Sequence, residues 1–164
     1  MIVISDTTPL RYLIEIEDAH ILEKLYGQII IPQKVFSELQ GKHTPPKVAA
    51  WIQSRPGWIE VRQADLSLFT PQKYIQDGER EAIALAIELK ADALLSDDGD
   101  AIKEARHCNI PTIRLFAILE SAARIELLDL PEAVDKMKRT TFRLPPPDLI
   151  EAMLERDRKR KLQP

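Results

Sequence analysis

With 164 residues, 45% of them hydrophobic and 30% charged, the chain suits one globular domain of ordinary size and is not disordered in composition. No apolar run approaches the roughly 20 residues that span a bilayer, and the opening MIVISD lacks a basic signal-peptide start, so a cytoplasmic, membrane-free protein is expected. The net charge of −3 is uneven: ERDRKRKLQP at 155–164 carries +3 and the rest −6, an acidic body that argues against a broad nucleic-acid-binding face.

The first predicted element is the apolar strand IVIS (2–5), which ends at Asp6. Thr8 and Pro9 read as N-cap and first-turn proline of a helix with Leu10, Leu13 and Ile14 on one face. A second helix covers 18–26, with Gly27 as its stop. QIII (28–31) is a strand, and Pro32 opens a helix with Val35, Phe36 and Leu39 apolar. A loop at 41–46 leads to a short helix at 47–54, then to the strand WIEV (58–61), while 62–76 shows no clear period. GEREAIALAIELKAD, from Gly78, is helical, with Ala82, Ile83, Ala86 and Ile87 on its inner stripe. The strand ALLS (93–96), a helix at 100–107 and the strand IPTI (110–113) follow. Helices at about 115–125, 131–139 and 148–160 complete the chain, the last two separated by LPPP (144–147), which is expected to hinge the last helix. Single crossovers between apolar strands predict an α/β fold with a parallel sheet and helices on both faces.

LLSDDGD (94–100) sets three carboxylates, Asp97, Asp98 and Asp100, at the tip of a buried strand. Two carboxylates about 4 Å apart repel by roughly 4 kcal/mol at the effective dielectric of a partly exposed site. Open parallel sheets bind ligands beyond the carboxyl ends of their strands, where strand order reverses. If the strands ending at Asp6 and at Asp97 are neighbours, these side chains share one rim. Glu38 lies on or beside the apolar face of its helix, and Glu79 extends the buried stripe of the next at its N-terminal end. A charge there is costly unless it is paired or metal-bound. Each acid also has a plain structural role open to it. Asp6 and Asp98 can cap helices, Asp100 and Glu79 can favour a helix dipole, and Glu38 can be a solvated flank residue. No Lys or Arg in ISDTT or LLSDDGD is placed to pair with them.

Oxygen ligands without histidine or thiolate suit Mg²⁺ or Mn²⁺, and the chemistry they most naturally support is phosphodiester hydrolysis. The single cysteine, Cys108, cannot form an internal disulfide and reads as core, and no CxxC or HxxxH spacing suggests zinc. Arg11 is placed either to meet a substrate phosphate or to stand in solvent.

These residues resemble those of a PIN domain, the small metal-dependent nuclease domain of VapC-type toxins. VISDTTPLRYL resembles the first motif of that family and IIIPQKVFSEL the second, which places a glutamate at Glu38. GEREAIALA resembles the third, in the register that selects Glu79 where many relatives have Asp. LLSDDGD resembles the fourth, with Asp98 in the usual metal-binding place, Asp100 accessory, and Asp97 an equal candidate beside Asp98. The motifs cover residues 1–128 as a PIN-like nuclease domain, and 129–164 is expected to be a helical extension of it. The resemblance implies a three-layer αβα sandwich around a parallel sheet and a Mg²⁺- or Mn²⁺-dependent endoribonuclease. Asp6, Glu38, Glu79 and Asp98 would be catalytic and metal-holding, Asp97 or Asp100 assisting, with Ser5, Thr7 and Ser96 behind them. It also implies a homodimer restrained by a small antitoxin protein, and the face of Leu149, Ile150, Met153 and Leu154 is the expected packing surface for one of these partners. The alternatives are a catalytically silent PIN-like binding module and a receiver-like signalling domain. A receiver would want an acid pair after the first strand and a lysine after the last, where this chain has Asp6 alone and Pro111-Thr112-Ile113-Arg114.

Overall fold

Five strands of two to four residues each form one sheet, and every pairing in it is parallel. In the computed structural model, which describes residues 1–163, they are β1 (Val3–Ser5), β2 (Ile29–Pro32), β3 (Ile59–Arg62), β4 (Ala93–Leu95) and β5 (Thr112–Ile113). Their order is β3-β2-β1-β4-β5. The chain winds from β1 to β2 and β3 on one side, then crosses to β4 and β5 on the other. Right-handed crossovers therefore put the helices between β1 and β3 and those between β3 and β5 on opposite faces, the αβα layering expected from the sequence. The strands read as continuous apolar runs because both faces are covered: Val3, Ile4, Ile29, Ile31 and Leu95 have no exposed surface.

The chain divides into two compact units, Met1–Leu115 and Phe116–Pro164. In the first, α1 (Thr7–Glu15), α2 (His20–Tyr26), α3 (Gln33–Glu38) and α4 (Pro46–Gln53) precede β3; α5 (Asp77–Leu89) and α6 (Gly99–His107) flank β4 in sequence. Asp6, not Thr8, takes the cap position of α1, and Thr7, Thr8 and Pro9 make its first turn. Helix α5 packs on β1, β2 and β4 through Ala82, Ile83, Leu85 and Ala86, and the small side chains let it lie close. Cys108 packs, half-buried, against this core, as the sequence suggests.

The second unit holds α8 (Leu130–Lys138), α9 (Pro147–Leu162) and all of α7 (Leu115–Arg124) but its first residue. Asp129 caps α8 by accepting from the Glu132 N–H at 3.1 Å. The basic tail is more organised than a solvated helix end. Arg156 grips Glu120 at 2.8 and 3.2 Å, Lys161 reaches Asp129 at 3.0 Å, and Lys161 and Arg160 both meet Asp157 at 2.8 Å. Burial alone would push the Asp157 carboxyl up, but these two cations overcome it and hold it below the usual range. On the apolar face expected to meet a partner, Ile150 and Met153 are buried, Leu154 is half-buried and Leu149 is exposed. Among the described residues, no helix is long and apolar enough to cross a membrane.

Candidate active site

The topology makes β1 and β4 neighbours across the point where strand order reverses. Ser5 is in register with Leu95, and the Asp6 N–H donates to the Leu95 carbonyl at 3.1 Å. The first residues past the two strands, Asp6 and Ser96, are thereby brought side by side. Asp6 is 3% exposed, yet its Oδ1 has no hydrogen-bond partner, and neither has the buried Ser96 hydroxyl. Burial drives the Asp6 carboxyl well above the usual carboxylate range. The adjacent Ser96 hydroxyl offsets part of the rise without closing a hydrogen bond of good geometry, and the charges of Glu79 and Asp97 add to it. Among the described residues, none of the groups that shift it is a cation. An isolated buried carboxylate of this kind is costly, and protonation, hydrogen-bond donors or a bound cation lower that cost.

Glu79 stands in the first turn of α5, in a capping box with Gln76, whose N–H donates to Glu79 Oε2 at 3.1 Å. The plain structural role is therefore real, but it does not neutralise the group. Burial comes first in pushing the Glu79 carboxyl up to about 7, Asp98 is next, and Glu38 and Asp100 also contribute. Glu38 ends α3, half-buried, and accepts from the Thr7 hydroxyl. Acids from two other segments thus act on Glu79, and Glu79 and Asp97 in turn act on Asp6 along the rim.

The three acids of LLSDDGD have different surroundings. Asp98 caps α6, its Oδ1 accepting from the N–H groups of Asp100 and Ala101 at 3.0 and 2.9 Å, which leaves Oδ2 uncommitted. Asp97 turns to the start of α7, where the Leu115 N–H lies 3.1 Å from its Oδ2. Burial raises its carboxyl to about 6, and the Leu115 N–H and the Arg114 charge hold back a further rise. Asp100 meets Lys73 at 3.2 Å on the surface. ISDTT and LLSDDGD contain no Lys or Arg of their own, but Lys73 and Arg114 come from other segments to Asp100 and Asp97. Arg114 follows directly on β5, so the same rim rule could have found it. Lys73 lies in the stretch without periodicity and gave no signal. Ser5 turns its hydroxyl to the Asp6 carbonyl. Arg11 is engaged in its own helix, 3.9 Å from Glu15 and 5.1 Å from the Tyr12 ring centre.

Among the described residues, no three acidic, histidine or cysteine side chains are already gathered as a ready-made ligand set. The residues still fit a hard divalent cation. The donors are oxygens only, and two buried polar atoms at the centre, Asp6 Oδ1 and Ser96 Oγ, are orphaned. A cleft of about 580 Å³ elsewhere in the first unit is lined by Ile14, Ala19, His20, Trp51 and Trp58, among others, but none of the converging acids opens into it. Size alone does not choose the site here; the convergence of perturbed acids does.

Comparison with known proteins decides the family. A model of the PIN domain matches residues 2–158. The chain belongs to the PIN-domain family. In structure, this PIN domain is similar to a PilT N-terminus domain protein from the hyperthermophilic archaeon Sulfolobus solfataricus. The two share 20% identity at a TM-score of 0.52, over 74% of this chain and 93% of the other, a likeness of fold. No curated protein matches. PIN domains are in general nucleases, so membership supports a nuclease fold.

Proposed function

We propose that this PIN domain hydrolyses phosphodiester bonds of single-stranded RNA with Mg²⁺ or Mn²⁺. The observation that carries the reading is Asp6: a buried carboxylate at the strand-order switch point, with an orphaned oxygen and acids rather than cations around it. Asp6, the free oxygen of Asp98, Glu38 and Glu79 would hold the ion, with Asp97 beside Asp6. Such an ion supplies Lewis-acid polarisation of the phosphodiester and of water. The chain does the rest. Thr7 fixes one Glu38 oxygen, and the Gln76 N–H fixes Glu79 Oε2. Glu79, whose carboxyl is raised to about 7 in the metal-free protein, would give up its proton when an ion is held there. No protein nucleophile is required.

The reading extends to the toxin of a toxin–antitoxin pair, dimeric and restrained by a small antitoxin protein. The resemblance to VapC-type toxins supports that extension. In a mixed RNA pool, wild type should cut with Mg²⁺ or Mn²⁺ and be silent in EDTA, and its induced expression in bacteria should arrest growth. Cleavage undiminished in EDTA would contradict the metal-dependent reading, and cleavage in vitro without growth arrest would separate the nuclease from the toxin.

A further inference from the structure

Glu38 is the last residue of a six-residue helix, and nothing within that helix fixes its carboxylate. Two groups outside it do. Thr7 donates to Oε2 from the start of α1, and the start of α5 closes on the same carboxylate at Gly78. A Cβ built on Gly78 would stand 2.6 Å from Glu38 Oε2, 2.9 Å from Oε1 and 3.0 Å from the carboxyl carbon. Such approaches are closer than a real Cβ makes. Gly41 would place a Cβ 3.2 Å from the Glu38 backbone oxygen, and Gly27, Gly57 and Gly99 within 4 Å of nothing, so the contact with the carboxylate belongs to Gly78. Nor does the backbone demand glycine. Gly27 is the glycine with positive φ, and Gly78 is buried in the first turn of α5 without one. The absent side chain makes room there for a carboxylate.

We propose that Gly78 is a positioning residue. By lacking a side chain, it lets the N-terminal turn of α5 seat the Glu38 carboxylate against Thr7, on the same turn that carries Glu79. The proposal rests on the nuclease reading only for the consequence, namely that a displaced Glu38 weakens the hold on a divalent ion.

The experiment compares Gly78→Ala with Gly99→Ala, each in the full chain. It reads Mn²⁺ affinity by calorimetry and the Glu38 side-chain carboxyl ¹³C resonance without metal, assigned by Glu38→Gln. In Gly78→Ala the resonance should move and the Mn²⁺ Kd should rise about tenfold or more, with the melting temperature near wild type. Gly99→Ala should change neither. A Gly78→Ala protein with wild-type resonance and wild-type Mn²⁺ affinity overturns the proposal. If wild type binds no Mn²⁺, the metal reading fails by itself, and the resonance alone decides the clamp: movement supports it, no movement overturns it. If Gly78→Ala does not fold, Gly78→Ala with Glu38→Ala empties the contested space. Restored folding then supports the contact, and a double variant equally unfolded overturns it.

Discussion

Asp6→Asn is expected to abolish RNA cleavage while leaving the metal-free protein at least as stable as wild type. Both effects come from one fact. The Asp6 charge is buried beside Glu79 and Asp97 with no cation to offset it, so the folded protein is better off without it until a divalent ion arrives. The amide keeps the shape, removes the charge and takes away the central donor of the rim. The rate should fall by about a hundredfold or more, beyond the 10- to 100-fold typical of groups that act only through a ligand. Single-turnover cleavage and thermal melts in EDTA measure the two effects. A rate within tenfold of wild type, or a midpoint lowered by several degrees, would show that Asp6 serves the fold and not the chemistry.

The second large effect is a stability that falls as pH rises. In the metal-free protein, Glu79 moves from its ordinary 4.5 to about 7 and Asp97 from 3.8 to about 6, in each case chiefly through burial, and Asp6 is raised as well. Between the unfolded and folded values the native state binds more protons than the unfolded chain, so raising the pH favours unfolding. The stability these groups contribute is full below about pH 4 and is lost as the pH climbs through 6 and 7. Glu120, Asp129 and Asp157 act in the opposite sense, with carboxyls held below the usual range, but their gain is complete by about pH 5. Above that, the raised acids dominate. After solvent screening the loss should be on the order of 1–2 kcal/mol between pH 5 and 7.5. Adding Mg²⁺ or Mn²⁺ should reverse it, and Glu79→Gln should flatten it. A melting temperature that climbs from pH 5 to 7 in EDTA would be incompatible with the rim described here.

Much of this was legible because short apolar runs ending in acids carry two messages at once. IVIS followed by Asp6, and ALLS followed by Asp97 and Asp98, mark strand ends and place charge on the same rim, which the β1–β4 pairing confirms. The helix from Gly78 was readable from its alanine stripe. What was hidden depends on contacts between distant segments. Asp97 and Asp98 have the same local context, and only the Leu115 N–H beside one and the α6 cap on the other tell them apart. The seat of Glu38 needs Thr7 and Gly78, from two other helices. The ion pairs of the basic tail were not legible because Glu120, the partner of Arg156, lies on α7 with no periodic signal linking the two.

The most direct test of the central claim is a Mn²⁺ titration at pH 6.5, by calorimetry in two buffers of different ionisation heat, on wild type and on Asp6→Asn. Metal ligands must be deprotonated, and at this pH Glu79, at about 7, is still mostly protonated. Wild type should therefore bind the ion and release protons as it does so, and Asp6→Asn should bind at least about tenfold more weakly. Equal affinity in the two proteins, or binding with no proton released, would contradict a divalent-ion site built on Asp6 and its neighbouring acids.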